Sequence, residues 1–228
     1  MGEDISLVVG PSVPAILNKS VQQSGYGRAA AIARAQASTG NYVPHIGMEE
    51  VQRLCRAVES SSRPKFKERN VLMIQTLFDS CIRVSELLTL RPQDIGQADY
   101  GWHLRLWSSK VDRWETCSIS ATLAAKLQSY AYRQQIVPGS KLFPVNRTRV
   151  FQIIDGAFKM AGLAKPDGVG TVHIMRHSGA LERLQRTKNP QAVQEQLRHK
   201  SIRMTLRYMK TLAHEEAIAI QDQVDLQW

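Results

Sequence analysis

The sequence predicts an α+β fold that is mostly helical and carries one small antiparallel β-sheet. Apolar residues recur at helical spacing along most of the chain after residue 44. Apolar and polar residues alternate with a period of two in only two short stretches, residues 102–107 and 114–119, whose closeness favours a hairpin. Hydrophobic residues make up 43% of the 228 residues and charged residues 22%, which is typical of a chain that buries a core.

The first 43 residues differ in composition from the rest of the chain. They are rich in Gly, Ser, Pro, Ala and Gln and contain few large apolar residues. This composition indicates an arm or linker rather than a second core. Residues 29–37 predict a short Ala-rich helix within this arm. The main domain is expected from residue 44 to residue 228.

Helices are expected on both sides of the hairpin. Residues 48–58, 66–79 and 83–90 have the helical period, and the third helix ends before Pro92 because proline cannot continue a helix. The hairpin turn is expected at residues 109–112. The later helices are expected at residues 121–136, 147–161, 172–187, 190–198, 201–209 and 214–223.

The chain is strongly basic. Its formal net charge is +10, and residues 165–210 alone contain ten basic side chains against three acidic ones. Such a balance favours a polyanionic partner, which is nucleic acid or, less often, an anionic membrane surface. A merely basic soluble protein is the alternative that charge alone leaves open.

The cysteines and the N-terminus help to predict the cellular compartment of the protein. The three cysteines contain no CxxC pair, which fits reduced thiols and argues against a disulfide scaffold or a zinc site. No apolar run approaches the ~20 residues that span a bilayer, and acidic residues occupy the place where a signal peptide has basic ones. We therefore expect a cytoplasmic protein, associated with the nucleoid if it binds DNA.

Six residues have side chains suited to phosphoryl transfer: Arg83, Lys110, His173, Arg176, His199 and Tyr208. Two arginines that converge on one phosphate can bind its oxygens bidentately, and a tyrosine beside them can attack the phosphorus. Each residue also fits an ordinary role when taken alone. Arg83 can pair with Glu86 on a helix, a histidine can fill a core position, a lysine can be solvated, and Tyr208 can pack on the core.

The order and spacing of these residues resemble the tyrosine recombinases of the phage integrase family. Residues 80–88 (SCIRVSELL) resemble the first arginine box, and residues 173–177 (HIMRH) resemble the His-x-x-Arg-His box. Residues 197–201 (LRHKS), followed by residues 205–208 (TLRY), resemble the closing box. Lys110 lies in the hairpin where the family has its catalytic lysine. The resemblance covers roughly residues 44–212.

Two positions depart from the family pattern. A glycine often precedes the histidine of the closing box, and another often stands two residues before the first arginine. This chain has Arg198 and Cys81 at those positions. Glycine adopts positive φ without the penalty that other residues incur, so the backbone conformation at both positions is in question.

The resemblance implies that the chain cleaves and rejoins DNA by the chemistry of a DNA breaking-rejoining fold. Tyr208 would be the nucleophile that forms a 3′-phosphotyrosyl link. Arg83 and Arg176 would hold the non-bridging phosphate oxygens, and Glu86 would orient the site from behind them. Because the bond energy is conserved in the link, the scheme needs no cofactor and no metal.

The histidines and the lysine have implied roles in proton transfer and phosphate binding. His173 would transfer a proton or donate a hydrogen bond near the tyrosine oxygen, and His199 would hydrogen-bond the phosphate. Lys110 would be the general acid that protonates the leaving 5′ oxygen, since a pKa near 10.4 keeps a lysine charged until that step.

Double-stranded DNA is the expected partner. Candidate DNA contacts are Arg147 and Arg149 at the start of one helix, together with Lys200 and Arg207, and a solvated basic helix start is the alternative for the first two. The resemblance also implies a tetramer on DNA held through the C-terminal helix, and accessory DNA-binding proteins are a further partner class. Residues 211–228 alternatively pack on their own domain.

Several readings of the whole chain stay open at this point. Recombination could have integration, excision, inversion or resolution as its outcome. A type IB topoisomerase uses very similar chemistry, and a non-catalytic DNA-binding module is a different class. His173 and His177 are four residues apart, as in some zinc sites, but no third ligand is evident. Under the family reading, residues 44–228 form the catalytic domain, and residues 1–43 are too short for a complete core-binding domain.

Overall fold

The computed structural model describes residues 42–60, 64–108 and 112–221, and every structural statement below refers to these ranges. The helix expected at residues 29–37, Lys110 and most of the hairpin turn lie outside the described residues. The helices are α1 (Met48–Glu59), α2 (Pro64–Ser80), α3 (Val84–Leu87), α4 (Ala121–Arg133), α5 (Arg147–Ala161), α6 (Thr171–Thr187), α7 (Pro190–Leu197) and α8 (Ile202–Gln221). The strands are β1 (Ile95–Ala98), β2 (Gly101–Ser108) and β3 (Arg113–Ser118).

The predicted fold class is confirmed: the chain is mostly helical, with a small antiparallel sheet. Side chains at the predicted apolar positions of α1 and α2 form the main core together with side chains of the sheet, α4 and α5. The core includes Leu54, Ile74 and Leu77 from the helices and Leu104 from β2. Polar residues begin the helices that follow the sheet. Ser120 Oγ accepts a hydrogen bond from the first turn of α4, and Asn146 Oδ1 does the same for α5. None of the described helices has the length and apolar character needed to cross a membrane.

The sheet has one strand more than the sequence predicts. β2 pairs with β3 in the predicted hairpin, with Leu106 opposite Glu115, and β1 pairs antiparallel with the other edge of β2. β1 has only four residues and shows no clear alternation, so its sequence contains little strand signal. Its Gly96 lies against the His103 ring, where an added Cβ would stand 2.7 Å from Nε2.

Two helix predictions need correction. The helix expected over residues 83–90 is only the single turn α3. The chain leaves the helix after Leu87 and turns before Pro92. The helices expected at 201–209 and 214–223 are one continuous helix, α8. No Gly or Pro interrupts residues 202–221, so no residue type in that stretch requires a break.

A second, smaller core lies where α6, α7 and α8 meet the start of the domain. Its buried members are Val43, Cys81, Ala180, Leu181, Leu184, Val193, Leu197 and Tyr208, and Leu212 packs against them. The start of the domain is also hydrogen-bonded to α8. Val43 N donates to Thr211 Oγ1 at 3.0 Å, and the Tyr42 hydroxyl donates to Glu215 Oε1 at 3.1 Å. The described part of the C-terminal tail therefore packs on its own domain, which is the alternative that the sequence left open.

Gly179 allows α6 to pack closely on the end of α2. A Cβ at this position would lie 1.9 Å from the Phe78 carbonyl oxygen and 2.9 Å from Cys81 Sγ. We expect Gly179→Ala to lower the free energy of unfolding by about 1–3 kcal/mol, since the backbone of α2 must move to admit a methyl group. Urea unfolding followed by circular dichroism measures the change.

Gly156, in the middle of α5, provides the matched control. A Cβ there meets no atom within 4 Å, so Gly156→Ala is expected to stabilise the domain by about 0.5–1 kcal/mol through helix propensity. If Gly179→Ala stabilised the protein as much as Gly156→Ala, the inference that α6 and α2 pack too closely to admit a methyl group would be wrong.

Candidate active site

Arg83 stands at the N-terminus of α3, and Glu86 fixes its position. Arg83 is the N-cap residue, and its backbone N–H donates to Glu86 Oε2 at 2.6 Å. Its guanidinium donates from Nη1 to Glu86 Oε1 at 2.9 Å. The Arg83 side chain is 42% exposed whereas that of Glu86 is 8% exposed, so the carboxylate supports the arginine from the protein side. The guanidinium can therefore bind an anion from solvent while its orientation is held.

Glu86 is a charged group in this setting. Burial by itself raises the pKa of its carboxyl group, but the Arg198 charge and the hydrogen bonds and charge of Arg83 lower it below the usual range. The carboxylate thus stays ionised at neutral pH and keeps both arginines in place.

Arg176 is almost completely buried on α6 and ties two motif segments together. Its Nη1 donates to the Cys81 carbonyl, and its Nη2 donates to the Leu197 carbonyl at 2.8 Å. Cys81 precedes Arg83 by two residues and Leu197 precedes His199 by two, so one guanidinium positions the backbone of both segments. Burial and the neighbouring Arg83 and Arg198 charges lower the pKa of Arg176 to about 10, and the group remains positive at neutral pH.

Cys81 and Arg198, the two positions where the family often has glycine, both have left-handed backbone. Their φ angles are 54° and 53°. A non-glycine residue in this region costs roughly 1–2 kcal/mol, which the surrounding contacts must offset. Arg176 binds the carbonyl of Cys81 and of the residue before Arg198. Both positions therefore have the left-handed backbone conformation that glycine adopts freely, although each carries a side chain.

Tyr208 lies on the buried side of α8 between two imidazole rings. Only 5% of the residue is exposed. The His177 ring meets it edge-on at a centroid distance of 5.9 Å, and the His199 ring is 6.4 Å away. Burial raises the pKa of Tyr208 to about 12, although the Arg176 charge opposes this shift. The phenol is therefore protonated at neutral pH and needs a proton acceptor before it can act as a nucleophile.

Two imidazole rings, those of His177 and His199, lie against this phenol, and the His173 ring lies against that of His177. Burial first, and then neighbouring positive charges, lower the pKa of His199 to about 4. Burial and the charge of His173 lower the pKa of His177 to about 4, although a hydrogen bond to the Pro44 backbone acts to raise it. The pKa of the more exposed His173 is also lowered, by burial and by the charges of Arg176, Arg147 and Arg83. All three imidazoles are thus neutral near pH 7.

The structure brings five of the six predicted catalytic residues into one region. Arg83, His173, Arg176 and His199 influence one another electrostatically, and Arg176 acts in turn on Tyr208. The sixth residue, Lys110, lies outside the described residues and stays a prediction.

The predicted DNA-contact residues lie on α5, on the turn before α8 and on α8. Arg147 is exposed at the start of α5 and close enough to lower the pKa of His173, whereas Arg149 donates to Gln152 on its own helix. Lys200 and Arg207 are exposed beside His199 and Tyr208 in the sequence.

Two further residues contact the predicted site residues, although the sequence analysis gave them no catalytic role. His177 contacts the Tyr208 ring, and its spacing of four from His173 was the available signal. Arg198 bonds Glu86 across 112 residues of chain, and the sequence offered only its place beside His199.

An open groove of about 1310 Å³ lies between the arginine region and the sheet. Side chains of α3, α7 and the following turn form one wall, and side chains of β2 and β3 form the other. The lining residues that bear on the argument are Arg83, His199, Lys200, Arg105, Trp114 and Glu115. A groove with this lining can receive a phosphate chain beside Arg83.

Known proteins resemble the chain in both sequence and fold. A family model described as the phage integrase family matches residues 45–215. A "Tyrosine recombinase" of Pseudothermotoga lettingae is 29% identical over 157 residues, which cover 67% of this chain and 53% of the relative. The chain therefore spans about half the length of this curated relative.

Two solved structures show the same fold. XerH site-specific recombinase bound to a palindromic difH substrate matches with a TM-score of 0.65 and 21% identity, over 81% of this chain and 55% of that one. The catalytic domain of bacteriophage HP1 integrase matches with a TM-score of 0.56 and 20% identity, over 78% of this chain and 94% of that one.

Proposed function

Because the chain belongs to the phage integrase family, we propose that it is a site-specific DNA recombinase that cleaves and rejoins DNA through a 3′-phosphotyrosyl intermediate. The observation that carries this proposal is Arg176, whose buried guanidinium joins the segments of Arg83 and His199 beside Tyr208. The expected outcome of the reaction is integration, excision, inversion or resolution of a DNA segment. Such activity would be exerted at the nucleoid, in the cytoplasm.

In the first step, the Tyr208 oxygen attacks the phosphorus of one DNA strand and the bond from phosphorus to the 5′ oxygen breaks. The phenol proton passes to a neutral histidine, for which His173 and His199 are the candidates. Arg83 and Arg176 neutralise the charge on the non-bridging oxygens, which is the main requirement of phosphoryl transfer. Lys110 supplies the proton that the leaving 5′ oxygen takes up.

In the second step, the 5′-hydroxyl of a partner strand attacks the phosphotyrosyl link and releases Tyr208. One phosphodiester bond is broken and one is formed, so the reaction needs neither a nucleotide nor a metal to balance. His199, hydrogen-bonded through Nδ1 to Thr205 at 3.3 Å, contacts the phosphate in both steps.

Double-stranded DNA is the partner that this scheme requires. Its phosphates would lie along the groove, where Lys200 is part of the lining, with Arg207 and the start of α5 (Arg147, Arg149) as outer contacts. Phosphate contacts set the position of the protein on DNA without reading its sequence. Among the solved structures, XerH is bound to its difH substrate, which supports DNA as the partner here.

Suicide substrates test the proposal directly. Nicked duplexes tiled across the DNA that flanks the coding sequence lose a short fragment after cleavage, so the covalent adduct accumulates. We expect an adduct that survives denaturation, with Tyr208 joined to a 3′ phosphate and a free 5′-hydroxyl on the other strand end. An adduct on the 5′ phosphate, or on another residue, would contradict the proposal.

We further propose that copies of the chain assemble on DNA as a tetramer through the end of α8. Thr211, Glu215 and Glu216 make bonds within their own chain, including the Lys188–Glu216 pair at 2.8 Å, and we place the trans contact beyond them. Accessory DNA-binding proteins are a further expected partner class.

Truncation after Glu216 is expected to abolish higher-order complexes on DNA while leaving the fold intact. The bonds that hold α8 to its own domain remain in this variant, so its thermal unfolding should match that of the full chain. Analytical ultracentrifugation on a duplex with two half-sites measures the assembly. Unchanged assembly would refute a trans contact through the tail.

A further inference from the structure

Two tryptophans lie side by side on the outer face of the β2–β3 hairpin. Trp107 of β2 stands directly opposite Trp114 of β3, and the two rings meet edge-on with their centroids 5.4 Å apart. Trp107 is 43% exposed and Trp114 is 51% exposed. Large apolar rings that remain accessible next to each other are typical of a surface that binds a partner.

The face that carries these rings is separate from the face that packs on the core. Along β2 and β3, Leu104, Leu106 and Cys117 are buried, and the positions that alternate with them on each strand are exposed or less deeply buried. The exposed positions of the outer face are Arg105, Trp107, Trp114 and Thr116. Both tryptophan rings therefore lie outside the hydrophobic core.

Arg105 adds a positive charge to this surface. Its guanidinium lies over the Trp114 ring, 4.6 Å from the ring centroid. The Arg105 side chain is 49% exposed, whereas that of Asp94, 4.0 Å away, is only 6% exposed. The cation is thus open to solvent beside the aromatic rings, and the nearby carboxylate is not. We call Arg105, Trp107 and Trp114 together the tryptophan platform.

The tryptophan platform lines the same groove as the exposed guanidinium of Arg83. Most of the charge that a ligand would meet there is positive, because the side chains of Arg83 and Arg113 are 42% and 70% exposed. The side chains of Glu86 and Glu115 are only 8% and 15% exposed, and Glu195 is an exposed acidic residue of the lining. Accessible cations and flat aromatic rings match the two parts of a nucleotide, its phosphate and its base.

The reaction proposed above would supply unpaired bases at this place. Arg83 would hold the scissile phosphate, so the adjoining nucleotides would lie in the groove that the tryptophan platform lines. After cleavage, the strand with the free 5′-hydroxyl must pass to a partner duplex, and it cannot do so while its bases stay paired. An unpaired base exposes its flat face to water, and stacking on an aromatic side chain covers that face again.

We propose that the tryptophan platform stacks an unpaired nucleobase of the strand that is being exchanged, next to the phosphate that Arg83 binds. This inference rests on the proposed function and adds a base contact to its phosphate contacts. Stacking accepts any base, since every base has a flat aromatic face. The platform therefore stabilises the open strand without selecting its sequence.

Two single-stranded probes that differ only in their bases test the tryptophan platform. One probe is a short thymidine oligonucleotide. The other is a chain of the same length built from abasic sites, so that the phosphates are the same. We expect the protein to bind the thymidine probe about tenfold more tightly, which is the effect of one stacking contact between a base and an aromatic side chain. Fluorescence anisotropy of an end label measures both affinities.

Substitutions of the two tryptophans assign this preference to the platform. Trp114→Ala and Trp107→Ala are each expected to remove most of the preference, whereas Trp114→Phe, which keeps a flat ring, should retain part of it. Tyr132→Ala is the matched control, because Tyr132 is 86% exposed on α4 and is not part of the groove lining. The control should keep the full preference. Thermal unfolding of each variant verifies that it is folded.

A photocrosslink tests whether the platform contacts the exchanged strand. 5-Iodouracil, which crosslinks to aromatic side chains that it contacts, replaces the base on the 5′-hydroxyl side of the mapped cleavage position in an intact duplex. We expect a crosslink to Trp107 or Trp114, located by mass spectrometry. Crosslinks confined to other residues would contradict the assignment to this strand.

Equal affinity for the two probes, or a preference that survives both alanine substitutions, would overturn the proposal and leave the rings to an intact duplex or a protein partner. If Trp114→Ala fails to fold, Trp107→Ala and Trp114→Phe decide by the same criterion. The probes require no cleavage, so failure of the proposed function is distinguishable. In that case the protein would form no adduct with a suicide substrate and would still prefer the thymidine probe.

Discussion

Replacing Tyr208 with Phe is expected to abolish formation of the covalent protein–DNA adduct while leaving the fold and DNA binding intact. The Tyr208 ring is packed between the rings of His177 and His199, and phenylalanine keeps this packing while it removes only the attacking oxygen. Loss of the nucleophile in a comparable covalent enzyme costs about 10⁶-fold in rate, so no adduct should be detectable on an experimental timescale. Denaturing gels with a labelled suicide substrate measure the adduct.

Tyr132→Phe is the matched control for this experiment. Tyr132 is 86% exposed on α4, and its hydroxyl contributes to no described part of the site. The control should form adduct at the rate of the unsubstituted protein. A normal amount of adduct with Tyr208→Phe would show that another residue is the nucleophile, and the proposed mechanism would then be wrong.

Arg176→Ala is expected to reduce both the cleavage rate and the stability of the domain, whereas Arg83→Ala should reduce mainly the rate. Each arginine is proposed to stabilise the phosphate oxygens, and loss of one such donor typically costs ~10²–10³-fold in rate. Arg176 also satisfies two buried carbonyls, and leaving a buried acceptor unsatisfied costs about 1–3 kcal/mol. Arg83 is 42% exposed, and its partner Glu86 keeps a second bond to Arg198.

Chemical denaturation and single-turnover cleavage, measured on the same preparations, separate the two effects. The difference between the variants should appear in the free energy of unfolding, since both lose a phosphate ligand. Equal stability of the two variants would mean that Arg176 does not hold the segments of Cys81 and Leu197 together. Full cleavage activity of either variant would remove that arginine from the proposed phosphate site.

Local patterns in the sequence were enough to predict most of the fold. The helical period predicted α1, α2 and α4 to α7, and the alternation of apolar residues predicted the β2–β3 hairpin. β1 was missed because four residues with a central glycine carry almost no periodic signal, and its formation depends on pairing with β2. The break expected inside the last helix was wrong because nothing in that stretch forces the backbone to leave the helix.

The sequence predicted which residues belong to the candidate site, but not the contacts that hold them. The motif order indicated Arg83, His173, Arg176, His199 and Tyr208, and the structure places them in one region. The contacts that hold them are long-range: Arg176 binds a carbonyl 95 residues away, and Arg198 binds a carboxylate 112 residues away. No local pattern reports such pairs. The role of Lys110 and the DNA contacts of Arg147, Arg149, Lys200 and Arg207 stay predictions.

The continuity of α8 has a consequence for protein engineering. A single unbroken helix carries the phenol of Tyr208 and, one to two turns later, the side chains of Thr211 and Glu215 that fasten it to the start of the domain. Gln221 lies thirteen residues after Tyr208, which is about 20 Å of helix at 1.5 Å per residue. A chimera that takes its tail from a relative with a junction inside residues 202–221 would re-aim the phenol along with the tail. A chimera must therefore exchange the whole of α8 together with the start of the domain to which α8 is hydrogen-bonded.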